Sequence, residues 1–119
     1  MGAIRIVDII SEKLYGIIKN IDGACDGAFS GYDGMVIGKY ESINVSTIDK
    51  ELMCANLASV LKILRSTGAP LKDIIVTFEN NTVLIKPVDD GFICITLGPD
   101  GNLGRARLEC NRIGREFLD

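Results

Sequence analysis

The chain has 119 residues, which is one domain, large enough to bury a core without disulfides or a structural metal. Lys and Arg number 13 against 16 Asp and Glu, a net charge of −3, so the large basic surplus of a non-specific nucleic-acid binder is missing. There is no histidine, which excludes Ser-His-Asp and Cys-His nucleophiles, His-ligated zinc and the commonest general base.

The opening residues Met1-Gly2-Ala3-Ile4-Arg5 are followed by apolar positions broken by Asp8, Glu12 and Lys13. That pattern is neither a secretory signal nor a membrane span. Ile6 stands where an N-myristoylation start wants Ser or Thr. Neither a membrane nor a nucleic acid is expected as a partner. Residues 4–21 read as a helix, because Ile6, Val7, Ile10, Leu14, Ile17, Ile18 and Ile21 recur on one face. Gly23 to Ser30 is a small-residue strand. Gly31-Tyr32-Asp33-Gly34 carries the Asp-Gly hairpin signal, and Met35–Tyr40 returns as a second strand. Glu41 to Ile48 is a polar connection.

Residues 49–67 form a second helix, with Thr47 or Asp49 as its N-cap. Gly68 suits a left-handed C-terminal position and Pro70 forbids continuation. Leu71–Phe78 is a β-branched strand. Thr82–Lys86 is the next, ended by Pro87. After Asp89-Asp90-Gly91, Phe92–Leu97 has so few polar residues that it reads as a central strand covered on both faces. Asn102 caps a last helix with the stripe Leu103, Ala106, Cys110, Ile113 and Phe117. Short turns imply antiparallel pairing. The class is α+β: five antiparallel strands and three helices in the order helix, hairpin, helix, three-strand meander, helix. The chain is a single domain over 1–119.

No residue cluster declares a catalytic centre. Cys25, Cys54, Cys94 and Cys110 contain no CxxC pair and read as reduced, buried small hydrophobes of a cytoplasmic protein. The glycines at 23, 27, 31 and 34 lack the Lys-Ser or Lys-Thr of a phosphate loop. Gly98, Gly101 and Gly104 lead into a helix N-terminus, but Asp100 would repel an anion there. Asp22, Asp26, Asp33, Asp89 and Asp90 read as turn residues. Asp89-Asp90 as an acid/base or metal pair has no support elsewhere. Arg105, Arg107, Arg112 and Arg115 alternate with Glu109 and Glu116 on the last helix. The pairs Arg105–Glu109 and Arg112–Glu116 fit a solvated face; a docking patch for an acidic partner is the sharper reading. No cofactor or metal is expected.

The second helix is the informative one. Met53, Leu57, Val60, Leu61 and Leu64 make a core stripe. The opposite side is Ala55, Ser59, Lys62 and Ser66, flanked by Leu52, Asn56 and Ile63 on one shoulder and Glu51 and Arg65 on the other. Depletion of charge is a mark of interface cores, so another chain is expected to cover this face. Ile74, Val76 and Phe78, in a strand too apolar for a free edge, join Leu52, Ala55, Asn56, Ser59 and Ile63 in the expected dimer interface. Lys62 and Ser66 remain for a docked partner.

In this order and at this length, certain segments resemble the Roadblock family, which includes dynein light chains and MglB-like bacterial proteins. They are Ile21-Asp22-Gly23-Ala24, Tyr32-Asp33-Gly34-Met35-Val36, Ile75-Val76-Thr77-Phe78-Glu79-Asn80, Val83-Leu84-Ile85-Lys86-Pro87 and Asn102-Leu103-Gly104-Arg105-Ala106-Arg107. The resemblance implies one helix on one sheet face and two on the other. It also implies dimers made by pairing the third strand and packing the second helices side by side. It implies no common catalytic centre, so the chain is not expected to be an enzyme. The implied partners are another copy, another Roadblock chain, a motor subunit or a Ras-like small GTPase; MglB-like members act as GTPase-activating partners without an arginine finger. The alternative is a small-molecule sensing module of PAS- or profilin-like outline. A carboxylate- or thiol-dependent enzyme ranks last.

Overall fold

The apolar periods set out above close into eight elements. The structure is a computed structural model that describes residues 5–44 and 46–113. It comprises α1 (Ile6–Ile18), β1 (Ala24–Gly31), β2 (Val36–Glu41), α2 (Lys50–Arg65), β3 (Ile74–Thr77), β4 (Thr82–Val88), β5 (Gly91–Leu97) and α3 (Leu103–Ile113). The strands form one antiparallel sheet in the order β2-β1-β5-β4-β3. β5 is central and buried along its whole length, as its lack of polar residues predicts.

Successive side chains on a strand point to opposite faces, and the two faces meet different helices. Phe29, Leu84, Ile93, Ile95 and Leu97 pack with Ile10, Leu14, Ile17 and Ile18 of α1 and Ala106 and Cys110 of α3. Ala28, Val83, Ile85, Phe92 and Cys94 pack with Cys54, Leu57, Ala58 and Leu61 of α2. The result is three layers, with two helices on one side and one on the other. β1 is built of small residues because α1 lies close on it: a Cβ at Gly27 would stand 3.3 Å from Leu14 and Ile18. All four cysteines are buried and unbridged.

The helix ends follow capping chemistry. Asp49, with its extended backbone, accepts from the Leu52 N–H and starts α2. Gly68 takes a φ of +83° just past its end. The Asn102 side chain accepts from the Arg105 N–H at the start of α3.

Several expectations need correction. The third strand is Ile74–Thr77, shorter than Leu71–Phe78. Asp73 is drawn off by Arg107, whose Nε and Nη2 donate to its carboxylate at 3.1 and 3.3 Å. At the other end the Phe78 N–H already closes the turn onto the Asn81 carbonyl. Pro87 lies inside β4; pairing with β3 ends at Ile74–Ile85, so a strand residue beyond Ile85 has no β3 neighbour to satisfy. Ile113 and Phe117 of the expected stripe, and the Arg112–Glu116 pair, fall outside the described side chains.

The largest correction is the rotation of α2. Its buried line is Lys50, Cys54, Leu57, Ala58 and Leu61, while Val60 and Leu64 are exposed. Asp26 accompanies this rotation. It sits in mid-β1, not in a turn, and is buried on the α2 face. Lys50, the first residue of α2, places its Nζ 3.2 Å from Asp26 Oδ2 and 3.3 Å from Glu41 Oε1. Burial pushes the Asp26 carboxyl up, and the neighbouring Thr96 hydroxyl and Lys50 only partly oppose it. Burial alone would lower the Lys50 ammonium, but Asp26 and Glu41 outweigh it and hold it above the ordinary lysine range.

Breaking a buried ion pair strands the remaining charge. Lys50→Met is therefore expected to cost about 3–5 kcal/mol in denaturant unfolding at neutral pH, and Asp26→Asn added to it to restore much of the loss. Because the folded Lys50 value is raised, its contribution is full below the ordinary lysine pKa of 10.5 and is lost as pH rises through the folded value. The stability gap between wild type and Lys50→Met should narrow above that pH. A gap that stays constant there would contradict the pairing.

Candidate interaction surface

The rotation set by Lys50 leaves one flank of α2 apolar and bare. Leu52 is 61%, Ile63 67%, Val60 42% and Leu64 38% exposed. Asn56 is exposed between them. The other flank is occupied by the chain's own β1–β2 hairpin. Glu51 Oε1 accepts from Lys39 Nζ of β2 at 3.1 Å, a hydrogen bond that holds its carboxyl below the usual range. The Arg65 guanidinium lies 4.3 Å over the Tyr32 ring, and Lys62 lines the shallow cleft beside Tyr32 and Ala58. A Cβ at Gly34, whose φ is +85°, would stand 2.9 Å from the Ala55 backbone, so the hairpin turn butts directly against α2.

Since that flank faces β2, the bare flank turns the other way, toward the β4–β3 end of the sheet. There Ile74 and Val76 pack against the α2-side cluster, together with Met53 and Leu71, whereas Ile75 packs on the opposite layer. Phe78 follows two residues beyond Val76 and is exposed. β3 pairs only with β4 among the described residues, so its outer edge is open. The opposite edge is met by α1: the Ser11 hydroxyl donates to the Lys39 carbonyl of β2 at 3.0 Å.

The sequence-derived residues thus fall into two groups. Leu52, Asn56 and Ile63 share the β3 side of the molecule with Ile74, Val76 and Phe78. Ala55 sits at the hairpin shoulder, with Lys62 on the same flank, and Ser59 lies exposed between the flanks. The Ser66 hydroxyl is spent at the helix end, donating to the Ile63 carbonyl at 2.6 Å. Val60 and Leu64 belong to the bare flank although the periodicity assigns them to the core. The signal is present in the sequence: Cys54, Leu57, Ala58 and Leu61 also follow helical spacing, but their smaller side chains make a fainter stripe.

Among the described residues, Asp26, Lys50 and Glu41 gather as an ion-paired cluster and Cys54 lies beside Cys94 in the core; the remaining groups are dispersed. Among the described residues no three His, Cys, Asp or Glu side chains are placed to hold a metal ion. Asp89 and Asp90 are exposed at the β4–β5 turn. The Gly98–Gly101 loop is a packing turn, with the Gly98 N–H donating to the Gly23 carbonyl at 2.8 Å. Burial pushes the Cys25 thiol up, and the Cys110 thiol up to about 12, which makes both poor nucleophiles. Among the described residues no helix is long and apolar enough to cross a membrane.

No protein-family model matches the chain, and no curated protein matches its sequence. Solved structures do match its fold. An MglB in a tetrameric arrangement superposes with a TM-score of 0.82 at 12% identity, covering 99% of this chain and 91% of that one. The gliding protein MglB from Thermus thermophilus gives 0.79 at 14% identity over 99% and 91%. A Roadblock/LC7 domain from Streptomyces avermitilis gives 0.72 at 11% identity over 87% and 89%. The element order, the strand order and the split of one helix against two are thus those of a known architecture, and the chain has the Roadblock/LC7 fold.

Proposed function

We propose that this chain is a dimeric interaction module that pairs through α2 and β3 and binds a Ras-like small GTPase across the paired helices. The carrying observation is that α2 keeps a bare apolar flank on the layer where Ile74 and Val76 of the open-edged β3 also pack. Exposed apolar surface of this extent at one site marks an interaction surface, and an unpaired edge strand is a template for another strand. Two chains meeting edge to edge about a two-fold axis would extend the sheet and bring their α2 helices together, covering Leu52, Asn56, Ile63, Ile74, Val76 and Phe78. An isologous contact of this kind is self-complementary by symmetry. That an MglB of the same fold has a tetrameric arrangement supports association between copies. The GTPase is the partner class that the Roadblock resemblance implies, and among the described residues no metal-holding cluster competes with that reading. Lys62, on the hairpin flank of α2, is in reach of a docked partner, with Ser66 at the helix end beside it. The small-molecule sensing alternative is disfavoured because the layer beneath α2 is filled by Leu57, Leu61, Val83, Ile85 and Phe92.

Light scattering at micromolar concentration should give the mass of a dimer for wild type. Ile63→Glu, which places an unpaired carboxylate in the contact, should give a folded monomer, at a cost on the order of several kcal/mol of association energy. Ser59→Ala should remain dimeric. A monomeric wild type, or a fully dimeric Ile63→Glu, would place the contact elsewhere. For the partner, capture of a Ras-like small GTPase from the same organism should depend on its bound nucleotide; capture indifferent to GTP or GDP, or no capture, counts against the GTPase reading while leaving the dimer intact.

A further inference from the structure

The layer opposite α2 carries a second surface of different chemistry. Glu109 of α3 is only 3% exposed, and its two oxygens are held by two arginines. Oε1 lies 2.8 Å from Arg105 Nη2; Oε2 accepts from Arg112 Nη2 at 2.7 Å and from Arg112 Nε at 3.2 Å. The hydrogen bonds from Arg112 hold the carboxyl below the usual range against its burial, with the charges of Arg112 and Arg105 and the Asn20 amide adding to them. One guanidinium neutralises one carboxylate. The second is surplus among the described residues, which gives this spot a positive local charge among them. Arg107, on the other side of α3, is balanced by Asp73 and adds nothing to that surplus.

Both guanidinia are about half exposed, and each keeps N–H donors that Glu109 does not use. Leu108 is exposed between them, and Asn20 and Asn111 complete the rim of the same open cleft. We infer that Arg105, Leu108 and Arg112, with Glu109 as the positioning residue, form a docking site for an acidic amphipathic segment of a protein partner. Charge complementarity selects the occupant. The guanidinia converge on one carboxylate, so their outward donors match acidic side chains one helical turn apart, separated by about 5–6 Å, with an apolar residue between them to cover Leu108. Arginines already held in one orientation lose little rotamer freedom on binding, and their bonds to carboxylates are charge-assisted. The site lies on the face away from α2 and does not depend on the dimer or GTPase reading.

The test is fluorescence anisotropy of the full chain with a labelled peptide of repeated Glu-Ala-Ala-Leu units, against a repeated Lys-Ala-Ala-Leu peptide and with inorganic phosphate as competitor. The acidic peptide should bind saturably and more weakly as salt rises, and the basic one should not bind. Arg105→Gln leaves Glu109 paired with Arg112 and should weaken binding about tenfold, as loss of a charge-assisted bond predicts. Leu108→Ser, at an exposed position, should weaken it too, and Arg107→Gln should leave it unchanged. Absence of saturable binding up to millimolar peptide, equal loss in Arg107→Gln, no loss in Leu108→Ser, or full displacement by phosphate at comparable concentration would each overturn the proposal.

Discussion

Lys50 opens α2, and its ammonium is buried 3.2 Å from Asp26 on the neighbouring strand. A charge this deep cannot turn away without losing its partner, and the unpaired group would cost several kcal/mol. The pair therefore favours one angle of α2 about its own axis, the angle at which its apolar line packs on the sheet. Everything outward follows from that angle. Cys54, Leu57, Ala58 and Leu61 turn to the sheet, and Leu52, Val60, Ile63 and Leu64 remain in the open. A rotation of α2 by about one residue, roughly 100°, would bury part of this flank and present a different set of side chains.

The rest of the sheet reinforces the same asymmetry. At the β2 end, the hairpin turn packs against Ala55, Lys39 holds Glu51, and Arg65 stacks on Tyr32. At the β3 end the strand is four residues long and its outer edge is open. One side of α2 is closed by the chain itself, and the other is left bare. The space beneath α2 is packed. The two candidate surfaces differ in kind: an apolar helix-and-edge contact on the α2 layer, and a fixed arginine pair around Glu109 on the α1–α3 layer.

Much of the fold is legible in the sequence because it rests on local rules. Gly68, Asp49 and Asn102 mark helix ends by backbone chemistry that needs no tertiary context. The apolar run Phe92–Leu97 is legible as the central strand. Two of the differences come from long-range polar pairing. Asp26 reads as a turn residue, since nothing in its neighbourhood shows that Lys50, 24 positions on, will reach it. Val60 and Leu64 read as core because side-chain size dominates a periodicity argument, and the buried pair overrides it. β3 reads as longer because the link between Asp73 and Arg107 joins residues 34 apart. Of the interaction surface, Leu52, Asn56 and Ile63 are visible as a helix shoulder short of charge, whereas their alignment with the β3 edge is a property of the assembled layers.

The central claim is that β3 and the bare flank of α2 form one pairing surface. Amide hydrogen exchange, followed by mass spectrometry above and below the concentration at which the wild-type assembly dissociates, reads this residue by residue. With pairing through β3, protection over Ile74–Phe78 is lost on dilution, while the amides of β2, at the other edge of the sheet, exchange at the same rate throughout. Exchange at β3 that is independent of concentration, or concentration-dependent protection confined to β2, would contradict it.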